Sequence, residues 1–300
     1  SLGLDMDFVS DDVAATGGFV RIRSRFSGFG GTTQRGQTFS VTASTMSHEF
    51  GHVLGLPDLF DQSSVFLGDE LTFEEESAGI GKWGIMGLGT LGWNVEDGPN
   101  AFCAWSLAHL GWLGPDNENL VTVTESLQDV VVEQIDRGGT VYKVPISTDE
   151  YFLVENRQNS GSYYNRNIPG GGLLVWHVDD AVIDGAPEGF NNDRERPGLV
   201  LEEADGYRDI GNFYFDRQDL TEGTRADPFH DGVTADGTAG IDGLGGSTTS
   251  PNTRTNTGLS TGVEIEVLSP LGDSMRVRLH FARSMLGWPR LLPGARRLQA

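Results

Sequence analysis

The chain has 300 residues, 37% of them hydrophobic and 9% aromatic, which is enough apolar material for one large or two ordinary domains. Its formal net charge of −22 would repel a phosphate backbone, which argues against nucleic acid as a partner. No apolar run approaches the roughly 18 residues that a membrane helix needs, and the single cysteine, Cys103, excludes an intrachain disulfide. We therefore expect a folded chain that has no membrane span and works as a monomer.

The first elements are predicted from hydrophobic period and capping residues. Residues 19–26 alternate apolar and charged side chains, which is typical of a half-buried strand. Residues 44–54 are predicted to be a helix that ends at Gly55, because glycine adopts the left-handed conformation that closes helices. Pro99 is expected to open a second helix over 99–113.

The first predicted helix carries a metal-type pattern. His48 and His52 are four residues apart, so both side chains project from one helix face and can bind one ion. Zinc accepts imidazole nitrogens, and two histidines at this spacing form half of a site. Glu49 is next to the first ligand, where a carboxylate can act as general base toward a metal-activated water. The alternative is an amphipathic helix whose histidines only cap or pack.

A catalytic zinc site needs a third protein ligand. Asp58 follows His52 by six residues, after a glycine and a proline that turn the chain off the helix. Asp61 is the alternative third ligand. If it does not bind the ion, it is a candidate for orienting one of the metal ligands. Met86 stands between glycines, in a turn that can place its side chain beneath the metal.

The remainder of the chain reads as β structure. Short β-rich runs separated by turn residues cover 119–124, 128–135, 140–146, 151–157, 172–178, 198–203, 262–268 and 275–281. These runs predict an all-β, sandwich-like module over 114–282. Residues 283–300 contain four arginines and no acidic residue, which indicates a linker toward a further domain.

Acidic residues are dense within 179–232, where calcium could find its six to eight oxygen ligands. Asp179, Asp180, Asp184 and Asp205 are the candidate ligands for Ca²⁺. Solvated loops explain the same residues, because their spacing matches no fixed calcium loop. His177, on a predicted strand, is expected to be a core histidine.

Several motifs resemble the immune inhibitor A family of secreted zinc metallopeptidases, a branch of the metzincins. They are HEFGHVLGLPDLFD (48–61), GKWGIMGLGT (81–90), YFLVENRQ (151–158), PGGGLLVWHVDD (169–180), PGLVLEEADG (197–206) and DPFHDG (227–232). The resemblance implies Zn²⁺ at His48, His52 and Asp58, Glu49 as catalytic base and Met86 as the Met-turn. It also implies export from the cell and, in many members, bound calcium.

The fold class that the resemblance implies is α+β. It implies a metzincin-like catalytic domain over 1–113, followed by the β module over 114–282. Only 47 residues precede His48, so the upper subdomain that helps to bind substrate is expected to be shortened.

The expected function is a secreted zinc endopeptidase that hydrolyses peptide bonds of extracellular proteins. The alternative is a catalytically degenerate surface or adhesion protein whose β module binds a partner. Intact Glu49 favours the first function, whereas the short N-terminal region favours the second.

Overall fold

A computed structural model of the protein describes residues 2–13, 18–28, 39–62, 77–94, 97–208, 210, 222–232, 243–244 and 249–281. The predicted linker over 283–300 lies outside these residues. Over the described part, the chain is mixed α/β, with most of its regular structure in sheets and few helices. No described helix combines the length and apolar character needed to cross a membrane.

Three α-helices are present in the described residues. They are α1 (Phe39–Val53), α2 (Ala104–Leu110) and α3 (Asp180–Gly185). Short 3-10 helices occur at Gly81–Trp83, Gly89–Leu91, Pro115–Asn117, Ile135–Arg137 and Tyr163–Asn165.

Eleven strands are described, in three sheets. They are β1 (Leu2–Val13), β2 (Phe19–Gly28), β3 (Leu120–Thr122), β4 (Leu127–Glu133), β5 (Val141–Pro145), β6 (Glu150–Arg157), β7 (Gly172–Asp179), β8 (Leu199–Leu201), β9 (Gly243–Leu244), β10 (Val263–Val267) and β11 (Ser274–Phe281). β1 and β2 form an antiparallel pair, and a four-stranded sheet has the order β4-β11-β10-β9. The third sheet has five strands in the order β3-β5-β6-β7-β8. The strand predictions are therefore confirmed in position.

The five-stranded sheet is the centre of the fold, because each of its faces covers a different hydrophobic core. Phe152 and Val154 of β6 point toward the four-stranded sheet and pack with Ile265 and Val277, which makes a sandwich. Leu153, between them in β6, points the opposite way, as the period of two in a strand requires. The second core therefore lies on the other face of the same sheet.

This second core joins the sheet to the segment around α1. Trp176 and Leu153 of the sheet pack there with Leu59, Trp83 and Met86. The domain boundary near residue 114 stays a prediction, and this packing is continuous across it. We name the two surfaces of the five-stranded sheet the sandwich face and the metal face.

The predicted helix over 99–113 is wrong at both ends, since α2 begins only at Ala104 and ends at Leu110. The backbone of residues 100 and 101 is used elsewhere: Asn100 N–H donates to Gly89 O at 2.9 Å, and Ala101 O accepts from Ile85 N–H at 3.3 Å. Tertiary hydrogen bonds to residues 81–91, which we call the Met86 segment, replace the helix there. Gly111, with a φ of 73°, closes α2 in the left-handed conformation.

Candidate metal centre

The end of α1 is a Schellman motif, which aims the following residues back toward the helix. Gly55 has a φ of 98°. Its N–H donates to His52 O at 3.0 Å, and Leu56 N–H donates to Gly51 O at 3.0 Å. This sharp turn, followed by Pro57, returns Asp58 to the histidines. The sequence prediction that Gly55 ends the helix is confirmed.

His48, His52 and Asp58 converge on one point. One ligand atom from each residue lies within 4.8 Å of the others. Asp58 Oδ1 is 3.0 Å from His48 Nε2 and 3.4 Å from His52 Nε2. Ligands placed 2.0–2.2 Å from a tetrahedral ion are separated by roughly 3.3 Å, so the distances from Asp58 Oδ1 to both nitrogens are close to the spacing that such an ion requires.

The other nitrogen of each imidazole is held by a backbone carbonyl. His48 Nδ1–H donates to Ile85 O at 2.7 Å, and His52 Nδ1–H donates to Leu56 O at 2.8 Å. A carbonyl can only accept, so each neutral ring keeps its proton on Nδ1 and leaves the Nε2 lone pair for a ligand. This is the arrangement that metal-binding histidines show.

Asp58 completes the donor set. Its Oδ1 is buried and makes no hydrogen bond with another described residue. When both rings are neutral, with their protons on Nδ1, this oxygen faces the lone pairs of the two Nε2 atoms. A buried carboxylate oxygen without a donor is costly unless a cation binds it. The residues therefore fit a zinc ion. Gln62 Nε2 donates to the other oxygen, Oδ2, and so orients the carboxylate.

The electrostatics of the cluster also favour a cation. Asp58 raises the pKa of His52 to about 9, against the opposing effect of burial, with Glu49 adding a smaller contribution. Burial alone raises the pKa of Asp58, but contacts with His48 and His52 hold it well below its usual range. The carboxylate is therefore ionised and creates a negative field at the two Nε2 atoms.

Met86 lies directly beneath α1. It is fully buried, and a Cβ atom added to Gly51 would collide with its sulfur. Gly51 is one of the three helix residues between His48 and His52, so the thioether packs under the turn that carries both histidines. Leu59 N–H donates to Met86 O at 2.8 Å, which ties this segment to the chain that follows the histidines.

Asp61 and Glu49 stand outside the three-residue cluster. Asp61 is buried, and its N–H donates to Ser77 O at 3.1 Å. Its role in orienting a ligand stays a prediction. Glu49 is partly exposed on α1, between His48 and the exposed Phe50. Its role as general base stays a prediction.

The four candidate calcium residues do not form a cluster of their own among the described residues. Asp179 accepts from Ala181 N–H and Val182 N–H as the cap of α3, and its Oδ2 is 3.2 Å from Arg196. Asp180 accepts from the Tyr151 hydroxyl at 3.1 Å. Asp184 is exposed on α3.

Asp205 lies instead with Glu203 and Asp227, whose carboxylate oxygens are within 4.8 Å of one another. Asp227 also accepts from Trp83 Nε1 at 2.8 Å, and Glu203 accepts from Ile210 N–H at 3.3 Å. These hydrogen bonds provide a structural reason for the cluster, and calcium binding within 179–232 stays a prediction.

Sequence reasoning missed the groups that orient the ligands. Gln62 and the carbonyls of Leu56 and Ile85 carry no motif signal, because their role depends on how the chain returns to the helix. Thr90 is a further example, with its Oγ1 3.2 Å from His48 Nδ1.

The metal face also contains a buried ion pair that sequence reasoning missed. Arg157 Nη2 is 3.1 Å from Glu155 Oε2, and both side chains are almost completely buried. The Arg157 guanidinium donates to Trp83 O at 2.6 Å and to Phe102 O at 3.0 Å, while Trp176 Nε1 donates to Glu155 at 2.7 Å. The sheet therefore holds the Met86 segment by charge-assisted hydrogen bonds. The alternation of side chains in β6 predicts that Glu155 and Arg157 share one face of the sheet, but it does not predict which groups they contact.

No protein-family model, curated protein or solved structure matches this chain. The resemblance to the immune inhibitor A family therefore rests on the sequence motifs alone.

Proposed function

We propose that the chain is a secreted zinc-dependent endopeptidase that acts on extracellular proteins, with a metzincin-like arrangement around α1. The observation that supports this proposal is the convergence of His48, His52 and Asp58, with both Nδ1 atoms held by carbonyls. The packing of Met86 under Gly51 agrees with the Met-turn that the motifs imply.

In this proposal, His48, His52 and Asp58 would hold the ion. Bound zinc supplies Lewis-acid chemistry, which lowers the pKa of water and polarises a carbonyl. The Ile85 and Leu56 carbonyls fix the imidazole orientation, and Gln62 fixes the carboxylate.

In the proposed reaction, the Glu49 carboxylate transfers the proton. Glu49 precedes Phe50 on the partly exposed side of α1, and its charge contributes to the raised pKa of His52. As general base it takes a proton from the attacking water, and it then delivers that proton to the leaving amine.

The test measures cleavage of casein or gelatin by the chain loaded with one zinc. Glu49→Gln is expected to lower kcat by about 10²–10⁴-fold, with the zinc content unchanged. Glu118→Gln is the matched control, because Glu118 is exposed and lies outside the cluster. Its activity should equal that of the wild type. One bound zinc without cleavage by the wild type would overturn the proposal and favour a degenerate adhesion protein.

A further inference from the structure

A cavity of about 280 Å³ opens beside the metal cluster, and His52 lines it. Leu56 and Pro57 also line the cavity, and Pro57 directly precedes the ligand Asp58. A substrate held at the metal therefore has this cavity within reach of the residues beside its scissile bond, since one extended residue spans about 3.3–3.6 Å.

Two other elements also contribute to the lining. Trp105 of α2 is only 5% exposed, and its ring packs at 5.5 Å against Phe190 and at 5.1 Å against His109. Ile183 of α3 lines the cavity as well, on the short helix that Asp179 caps. Both elements are fixed by packing or capping, so the cavity is preformed, as ligand pockets usually are.

The size and charge of the cavity favour a bulky, uncharged occupant. A cavity of about 150 Å³ lined by aliphatic residues already holds benzene, so this one has room for a phenyl or indole ring. No lysine or arginine is among the described residues that line it, and Glu188 is the one carboxylate there. Burial lowers the pKa of His109, which keeps that ring neutral near pH 7. An acidic side chain would find no lysine or arginine here and would meet the negative charge of Glu188.

We infer that this cavity is a specificity pocket that takes a bulky apolar side chain, preferably aromatic, from a peptide residue within two positions of the scissile bond. The inference rests on the proposed peptidase function for the identity of its ligand. The occupant packs against Trp105 and Ile183 and contacts Leu56 and Pro57.

The first arm of the test measures binding without turnover. N-acetyl-phenylalaninamide and N-acetyl-alaninamide are titrated into the zinc-loaded Glu49→Gln variant and followed by NMR. We expect the phenylalanine probe to bind at least 10-fold more tightly. Ile183→Trp, which fills the cavity, should remove this difference. Ala181→Trp should keep it, because Ala181 is exposed on the same helix and does not line the cavity.

A second variant keeps the test decisive if Ile183→Trp fails to fold. Ile183→Ala enlarges the cavity and is expected to shift the preference from the phenylalanine probe to N-acetyl-tryptophanamide. Equal binding of the phenylalanine and alanine probes would overturn the inference. So would tighter binding of a lysine probe that Glu188→Gln abolishes, since that result would make the cavity a cation site.

The second arm separates this inference from the proposed function. A quenched-fluorescent peptide is scanned with Phe, Lys, Asp and Ala at the two positions on each side of its cleaved bond. We expect Phe at one position to raise kcat/KM by about 10–100-fold over Ala. Cleavage with no preference for Phe overturns the pocket and leaves the peptidase standing. Absence of cleavage overturns the peptidase, and the binding arm then decides the pocket by itself.

Discussion

The two faces of the five-stranded sheet are built in different ways. The sandwich face meets the four-stranded sheet through alternating aliphatic residues such as Val154 and Val277. The metal face meets a segment with little regular structure, through tryptophans, close glycine contacts and the Arg157–Glu155 pair. A repeated pattern specifies the first interface, whereas individual contacts specify the second. Each face also contains a set of buried charged residues, which allows the two to be compared directly.

The largest expected effect is on the metal face. Arg157→Met leaves Glu155 as a buried unpaired charge and removes the donors to Trp83 O and Phe102 O. We expect the free energy of unfolding to fall by about 3–5 kcal/mol, as measured by urea denaturation.

Arg137→Met is the matched control for Arg157→Met. Arg137 pairs with Asp273 at 2.6 Å, but both side chains are exposed, so the expected loss is below about 1 kcal/mol. Equal losses in the two variants would show that the buried pair does not hold the Met86 segment to the sheet.

The sandwich face contains His177, between Glu150 and Glu202 at 2.9 and 3.2 Å. Burial lowers its pKa, but these carboxylates raise it from 6.5 to about 9. The folded state therefore binds the proton more tightly than the unfolded chain does. The resulting stability is fully present below pH 6.5 and is lost as the pH rises through 9.

The expected loss from this titration is about 3 kcal/mol. Urea denaturation at pH 6 and pH 9.5, with wild type and His177→Gln compared, isolates the contribution of this residue. The difference in stability between the two proteins should shrink with rising pH. A difference that is constant with pH would contradict the assignment.

A glycine substitution tests the contact between α1 and Met86. In Gly51→Ala the new methyl group collides with the Met86 sulfur, so we expect a loss of about 1–3 kcal/mol and weaker zinc binding. Gly185→Ala is the control, since a Cβ at Gly185 meets no atom within 4 Å. Calorimetric unfolding and zinc titration measure both effects. A Gly51→Ala protein with unchanged zinc affinity would argue against Met86 as the floor of the site.

The smallest predicted effect concerns the orientation of the third ligand. Gln62→Ala removes the donor to Asp58 Oδ2, and we expect zinc affinity to fall about 10-fold, with stability nearly unchanged. Competition with a chromophoric chelator measures the affinity. Gln128→Ala, at an exposed position of β4, should not alter it. An unaltered affinity in Gln62→Ala would mean that Asp58 is oriented by its own turn.

The difference between the two faces also explains which features the sequence could predict. Strands such as β10 and β11 alternate apolar and polar residues, so period alone located them. The start of α2 could not be located this way, because Asn100 gives its backbone hydrogen bond to Gly89 instead of to a helix. Local patterns predict elements whose backbone bonds are local or repetitive.

The sequence by itself determined that His48 and His52 share a helix face and that Gly55 turns the chain after them. Both are properties of backbone geometry over a few residues. Only the tertiary structure decided that the Leu56 and Ile85 carbonyls orient the imidazoles, that Met86 lies under Gly51, and that a cavity opens between α2 and α3. These contacts join residues from separate elements, and their positions depend on how those elements pack on the metal face of the sheet.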